Sequence, residues 1–189
     1  MKVVTKESIR ELPLLQFEGR IHVIRKEADI LPAVRQLASH SVLGFDTETK
    51  PTFKKGEYNH PALLQLSTDE EAYLFQLSQT GFTEELKILL EDSSIAKVGV
   101  AIHDDLKALK KLSPFRSGNF IELADLARKA AIPHFGLRSL TAYLLDKRIS
   151  KSQQTSNWEN ETLSDAQQIY AATDAWVSLK IYPKLLDYT

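Results

Sequence analysis

Three short stretches carry carboxylates that could hold metal ions, one of them beside a tyrosine. The first is Phe45-Asp46-Thr47-Glu48-Thr49, entered from the apolar run Ser41-Val42-Leu43-Gly44, which reads as a buried strand. Side chains alternate across a strand, so Asp46 and Glu48 share a face. Two carboxylates placed this way repel unless something positive lies between them. Hard divalent cations, Mg²⁺ or Mn²⁺, favour carboxylate oxygen. An Asp-x-Glu pair alone equally describes a solvated turn, so its partners decide. The second stretch is His103-Asp104-Asp105, at the C-terminal end of an apolar strand, where α/β proteins place ligands. Either acid could instead cap the helix that follows. The third is Tyr170-Ala171-Ala172-Thr173-Asp174. In a helix, residues four apart are stacked neighbours, so Tyr170 and Asp174 meet. The alanines around them let the helix approach a sheet closely, and an aspartate buried there needs a partner.

The elements that must position these groups follow from periodicity. Ile21–Ile24 reads as a strand, residues 29–39 as a helix through Ile30, Leu31, Val34, Leu37 and Ala38, and 41–48 as the strand of the first acids. Strands 62–67 and 72–77 follow across a polar turn, then a helix over 84–91 with Thr83 as N-cap. Ile95–Ile102 is nearly all apolar and reads as a central strand. A helix through Leu106, Leu109 and Leu112 stops at Pro114. Residues 120–123 make a short strand or turn into a helix over 122–131, and a further helix covers 137–146. After the polar stretch 147–163, Ser164 with Gln167 forms a capping box opening a long helix to about Pro183, with a last turn beyond. Strands interleaved with helices predict an α/β fold, a single domain. Strands 41–48, 62–67 and 72–77 form an antiparallel meander, and strand 95–102 joins in parallel through helix 84–91. Helices cover both faces, and residues 1–19 are a loosely attached lead-in.

Composition removes whole classes of chemistry. The chain has no cysteine, so disulfides, thiolate metal sites and cysteine nucleophiles are excluded. No apolar run approaches the ~20 residues of a membrane span, and Met1–Glu7 lacks the apolar core of a signal peptide. The expectation is a cytoplasmic or otherwise intracellular protein without membrane contact. The net charge of −1 lacks the positive balance common in nucleic-acid binders. A site built of acids subtracts charge, however, and a local basic stripe can coexist with a neutral total. The connection 49–60 has that composition: Lys50, Lys54 and Lys55 are interleaved with Phe53 and Tyr58. It could track a phosphate backbone and stack on bases, or be a solvated hairpin loop.

Taken together, the three motifs resemble the DEDD superfamily of 3′–5′ exonucleases, in the subgroup with a tyrosine in its third motif. The most specific matches are Val42–Glu48, Val98–Ile102 with Asp105, Lys151 to Ser156-Asn157-Trp158, and Leu163 to Tyr170–Ala175. The wording is nearest the Werner-type branch, more distantly RNase D and the DNA polymerase I proofreading domains. Spacing within the second motif selects Asp105 over Asp104. Lys107 stands close to a position where the Werner-type motif carries an aromatic residue. The resemblance implies a ribonuclease H-like mixed sheet over residues 20–189 and a two-metal reaction using Mg²⁺ or Mn²⁺. Asp46 would bridge both ions, Glu48 and Asp174 would complete the site that activates water, and Asp105 would support the second ion. Tyr170 would orient the water. The implied substrate is nucleic acid with a free 3′ end, DNA favoured over RNA, cut to nucleoside 5′-monophosphates. Thr47, Thr49, Lys50, Lys151 and Trp158 are the expected substrate contacts, with core packing the other reading of Trp158 and a structural role that of His103. No protein partner is identifiable. Competing readings are a catalytically silent binding module of the same fold, an RNase D-like exoribonuclease, and a phosphohydrolase of small nucleotides.

Overall fold

The computed structural model describes residues 4–188. Its centre is a six-stranded mixed sheet in the order β1-β4-β3-β2-β5-β6, formed by β1 (Arg20–Ile24), β2 (Val42–Thr49), β3 (Pro61–Ser67), β4 (Glu71–Gln76), β5 (Ala96–Gly99) and β6 (Phe120–Glu122). The meander β2-β3-β4 is antiparallel as expected, and β5 lies parallel to β2. β1 and β6 close the two edges, each parallel to its neighbour.

Alternation along β2 sorts its residues between the two faces. Leu43 and Phe45 pack into a core with Leu64, Leu66 and Phe75 from the sheet. The helices over that face are α2 (Ile30–Leu37), α4 (Glu84–Glu91) and α5 (Ile102–Leu112). The opposite face belongs to α6 (Leu123–Lys129), α7 (Leu137–Leu145) and α8 (Asp165–Leu186), whose core unites Leu123, Leu140, Val177 and Ile181. α8 lies against β2, β3, β4 and β5. It opens with the expected capping box, in which Ser164 Oγ accepts from Gln167 N and the Gln167 side chain accepts from Ser164 N. α4 has Thr83 at its N-cap position but no side-chain cap bond. No described helix is long and apolar enough to cross a membrane.

Three expectations are corrected. The strand expected over 95–102 ends at Gly99, and Ile102 already opens α5. The chain turns out of the sheet at Ala101, which takes a left-handed conformation with φ 60°. The strand expected to end at 77 stops at Gln76, and Leu77 begins the short α3 (Leu77–Thr80). The segment before β1 is tied down where a loose attachment was expected; its first three residues lie outside the described ones. It forms α1 (Lys6–Arg10) behind a Thr5/Ser8 capping box, and it buries Ile9 and Phe17. Leu15 N donates to Arg148 O at 2.7 Å, Arg148 N to Pro13 O at 3.0 Å, and Phe17 N to Thr173 Oγ1 at 3.0 Å.

Candidate active site

Asp174 reaches β2 because Gly44 lets α8 in. A Cβ at Gly44 would lie 2.0 Å from Ala175 O and 2.5 Å from Ser67 Oγ, so no side chain fits there. The consecutive buried residues Tyr170 to Ala175 make α8 a thin layer at this point, with three alanines against the sheet. Helix backbone therefore rests directly on strand backbone. Asp174 is carried to the face from which Asp46 and Glu48 project. One carboxylate oxygen from each of Asp46, Glu48 and Asp174 lies within 4.8 Å of the others. At its C-terminal end β2 slips register between Glu48 and Thr49, an irregularity that ends the regular pairing just beyond the second acid.

Asp105 stands beside this trio. Thr47 Oγ1 donates to Asp105 Oδ1 at 2.6 Å, so the residue between the two strand acids holds the carboxylate from the second motif. Asp105 lies in the first turn of α5, not on a strand end. That turn is anchored by Glu122 of β6, whose carboxylate accepts from Ala101 N at 3.1 Å and Ile102 N at 2.8 Å. Glu122 also accepts from Ala124 N at the start of α6, so one side chain fixes two helix starts.

The electrostatics are those of crowded, buried acids. Burial holds Asp46 well above the usual carboxylate range; Glu48, Asp105 and Asp174 push it further, while the Thr47 N–H pulls it down. Glu48 is pushed up to about 9, by burial first, then by Asp174 and Asp105. Burial raises Asp105 to about 7 against the pull of its Thr47 bond, with Asp104 and Glu122 adding to the rise. Asp174 is also raised to about 7 by burial, opposed by the Tyr170 hydroxyl and by Arg138 of α7. Tyr170 is held above the usual phenol range by burial and then by the charges of Asp174, Glu48 and Asp46. Asp174 Oδ1 is buried without a hydrogen-bond partner. Hard oxygen donors at this separation, one of them unpartnered, fit a divalent cation, which would offset the burial and the mutual repulsion that hold their protons on.

The expected substrate contacts divide. Thr47 is committed to Asp105, whereas Thr49 is exposed at the strand end. Lys50 Nζ pairs with Glu159 Oε2 at 3.2 Å, joining the 49–60 connection to the segment before α8. Lys54 pairs with Glu57 at 3.6 Å, and Phe53 is 87% exposed. Lys151 is exposed and borders a cavity that Tyr170 and Asp174 also line. Trp158 is 0% exposed, packed among Leu63, Leu74 and Leu163 with its ring 5.8 Å from that of Tyr170. It presents no face to a base, so the packing reading is the one the structure gives, and Tyr170 is what it supports. His103, Asp104 and Lys107 are exposed on α5. Sequence reasoning missed Glu122 and Arg138. Glu122 gave no local sign of reaching back to Ala101. Arg138 did give one: it is a cation in the first turn of a helix, where the dipole disfavours it.

Comparison with known proteins agrees with this geometry. The chain is 35% identical over 196 residues to the mouse bifunctional 3′–5′ exonuclease/ATP-dependent helicase WRN, matching 97% of this chain and 14% of that protein. It is 30% identical over 194 residues to a 3′–5′ exonuclease of Arabidopsis thaliana, across 94% of this chain and 67% of that one. Its fold superimposes on Escherichia coli RNase D with a TM-score of 0.81 at 24% identity, covering 89% of this chain and 45% of the RNase D chain. A family model described as 3′–5′ exonuclease matches residues 21–188, a span that holds all four carboxylates and Tyr170, and the chain belongs to that family.

Proposed function

We propose that this chain shortens nucleic acid from the 3′ end, releasing nucleoside 5′-monophosphates, with DNA favoured over RNA. The observation that carries the reading is the assembly of Asp46, Glu48 and Asp174 oxygens within 4.8 Å, under Tyr170, in a chain of this family. Those three carboxylates, with Asp105 beside them, would hold two divalent cations, Mg²⁺ or Mn²⁺. Such cations supply Lewis-acid chemistry, lowering the pKa of a water and stabilising charge on the leaving 3′ oxygen.

The protein's own part is placement. A phenol, with an ordinary pKa of about 10, keeps its proton at neutral pH. The Tyr170 hydroxyl therefore orients the water and does not abstract its proton. Trp158, packed 5.8 Å away, fixes the tyrosine ring. Thr47 holds the Asp105 carboxylate, and Glu122 fixes the helix start that carries Asp105. The motif wording shared with the Werner-type branch supports DNA. The exposed strip of Phe53, Tyr58 and lysines supports a strand over a free nucleotide as substrate.

The test is a cleavage assay on 5′-labelled single-stranded DNA, 3′-recessed duplex and single-stranded RNA, each with Mg²⁺, Mn²⁺ or chelator, with Asp174→Ala alongside. A metal-dependent ladder shrinking from the 3′ end, absent in the variant, is the expected result. A ladder on RNA alone would replace DNA with RNA as the substrate. No ladder on any strand would overturn the activity and favour the silent binding module.

A further inference from the structure

We propose that the cavity between the first turn of α7 and the middle of α8 binds a non-scissile phosphate of the substrate strand, with Arg138 as its principal ligand and Lys151 as its second. This rests on the exonuclease reading, which supplies the anion.

The cavity holds about 350 Å³, roughly ten times the ~30 Å³ share of a water molecule, so a phosphodiester and part of its sugar fit. It is lined by Gly136, Arg138 and Ser139 at the start of α7, by Lys151, and by Tyr170 and Asp174 of α8. Asp46 and Glu48 do not line it. Asp174 does line it, so a phosphate held here would lie next to the carboxylate site and not within it.

Arg138 brings its charge to bear on Asp174, yet its Nε makes no hydrogen bond. Nε is shielded from solvent and has no partner, which leaves a buried donor unsatisfied. Asp174 Oδ1, which lines the same cavity, is also without a hydrogen-bond partner, although the charge of Arg138 acts on that carboxylate. The position is adverse for a cation in a second way. Gly136, the N-cap of α7, has no side chain to cap the helix, and the first N–H groups of α7 lack intrahelical acceptors. Amide donors and a guanidinium crowded at one helix end repel each other until an anion lies between them. A phosphodiester oxygen is such an anion, and guanidinium geometry suits it in paired hydrogen bonds. Lys151 lines the same cavity and makes no ion pair among the described residues, so two cationic residues border one space.

The experiment pairs changes in protein and strand. Single-turnover cleavage of the 3′-terminal linkage is measured on strands of the sugar the enzyme cuts. Each strand carries one neutral methylphosphonate, at the second, third, fourth or fifth linkage from the 3′ end. The proteins are the unsubstituted chain, Arg138→Gln, Arg138→Lys and Lys151→Gln, and their melting is checked first. One position should slow the unsubstituted chain by roughly 10–100-fold, the size of a lost charge-assisted hydrogen bond. Arg138→Gln should lose a similar factor on the all-phosphate strand, mostly in KM, and should be nearly indifferent to the methylphosphonate at that position. Arg138→Lys should recover part of the loss. If Arg138→Gln does not fold, the same indifference in Lys151→Gln serves as the readout. Penalties that multiply at every position, or an Arg138→Gln protein as active as the unsubstituted chain, would overturn the assignment. Failure of the unsubstituted chain to shorten any strand would overturn the exonuclease reading itself, and so is distinguishable from failure of the Arg138 site.

Discussion

At Gly44 and Ala175 backbone lies against backbone, and the carboxylates are carried on elements with no room to move. At 49–60 and 147–163 further side chains able to meet a strand hang from connections. The contrast shows in exposure. Asp174 is 8% exposed, whereas the side chains of Lys50 and Glu159 are 42% and 38% exposed. The floor tolerates mutual repulsion among acids because packing of α8 on the sheet holds them there. The rim uses exposed ion pairs that contribute little to stability. The carboxylates are thus built into the core of the fold, whereas the exposed lysines of these connections lie outside it.

The sharpest way to break this contrast is to remove a charge from the floor. Asp174→Asn should lower cleavage by about 1,000-fold or more, since it deletes a group proposed to hold a cation that supplies several kcal/mol. The metal-free variant should nevertheless be more stable than the parent at pH 8. The sign follows from the titrations. Glu48 at about 9 and Asp105 and Asp174 at about 7 all hold protons above the ordinary carboxyl range near ~4. Between those values the folded chain binds more protons than the unfolded one, so stability falls as pH rises from about 4 through 9. Asp174→Asn removes one of these groups and relieves Glu48. Melting temperatures against pH, with chelator and with Mn²⁺, check the prediction. The metal should cancel the fall in the parent and do less in the variant. A metal-free variant that melts lower than the parent at pH 8 would mean the acids are not in conflict.

Gly44→Ala tests the packing that holds the floor. The new methyl would lie 2.0 Å from Ala175 O, a backbone atom, so α8 must move away from β2. A loss of about 2–3 kcal/mol is expected by urea unfolding, the range of overpacked cores. Cleavage measured well below the melting point should also fall, about 10–100-fold, because Asp174 leaves the trio. A stable variant with normal activity would show that the close approach does not position the site.

What was legible in the sequence follows the same division between local and distant forces. The shared face of Asp46 and Glu48 is set by the two-residue period of a strand, and the start of α8 by a box within four residues, so both could be read directly. The end of β5 could not, because Val100-Ala101-Ile102 continues an apolar run whether it stays in a strand or enters a helix. Thr47 meets Asp105 across 58 residues and Glu122 meets Ile102 across 20, contacts that no spacing rule encodes. Trp158 was open between stacking and core, and burial decided it. The lead-in hid its attachment because five residues of α1 are too few to show a period, while its ties to Arg148 and Thr173 are made by backbone.

The mildest perturbation sharpens the other side of the contrast. Lys50→Ala removes an exposed ion pair with Glu159 at 3.2 Å and should change stability by less than about 0.5 kcal/mol. If Lys50 tracks the strand, KM should rise about 2–5-fold with kcat unchanged, and the dependence of binding on salt should weaken by about one counterion. Glu159→Gln separates this from a structural role. It breaks the same pair but leaves Lys50 free, so it should tighten binding where Lys50→Ala weakens it. If both variants weaken binding, the pair itself is what matters, as a clasp between the 49–60 connection and the segment before α8. If either lowers kcat with KM unchanged, the rim takes part in the chemical step and the division between floor and rim does not hold.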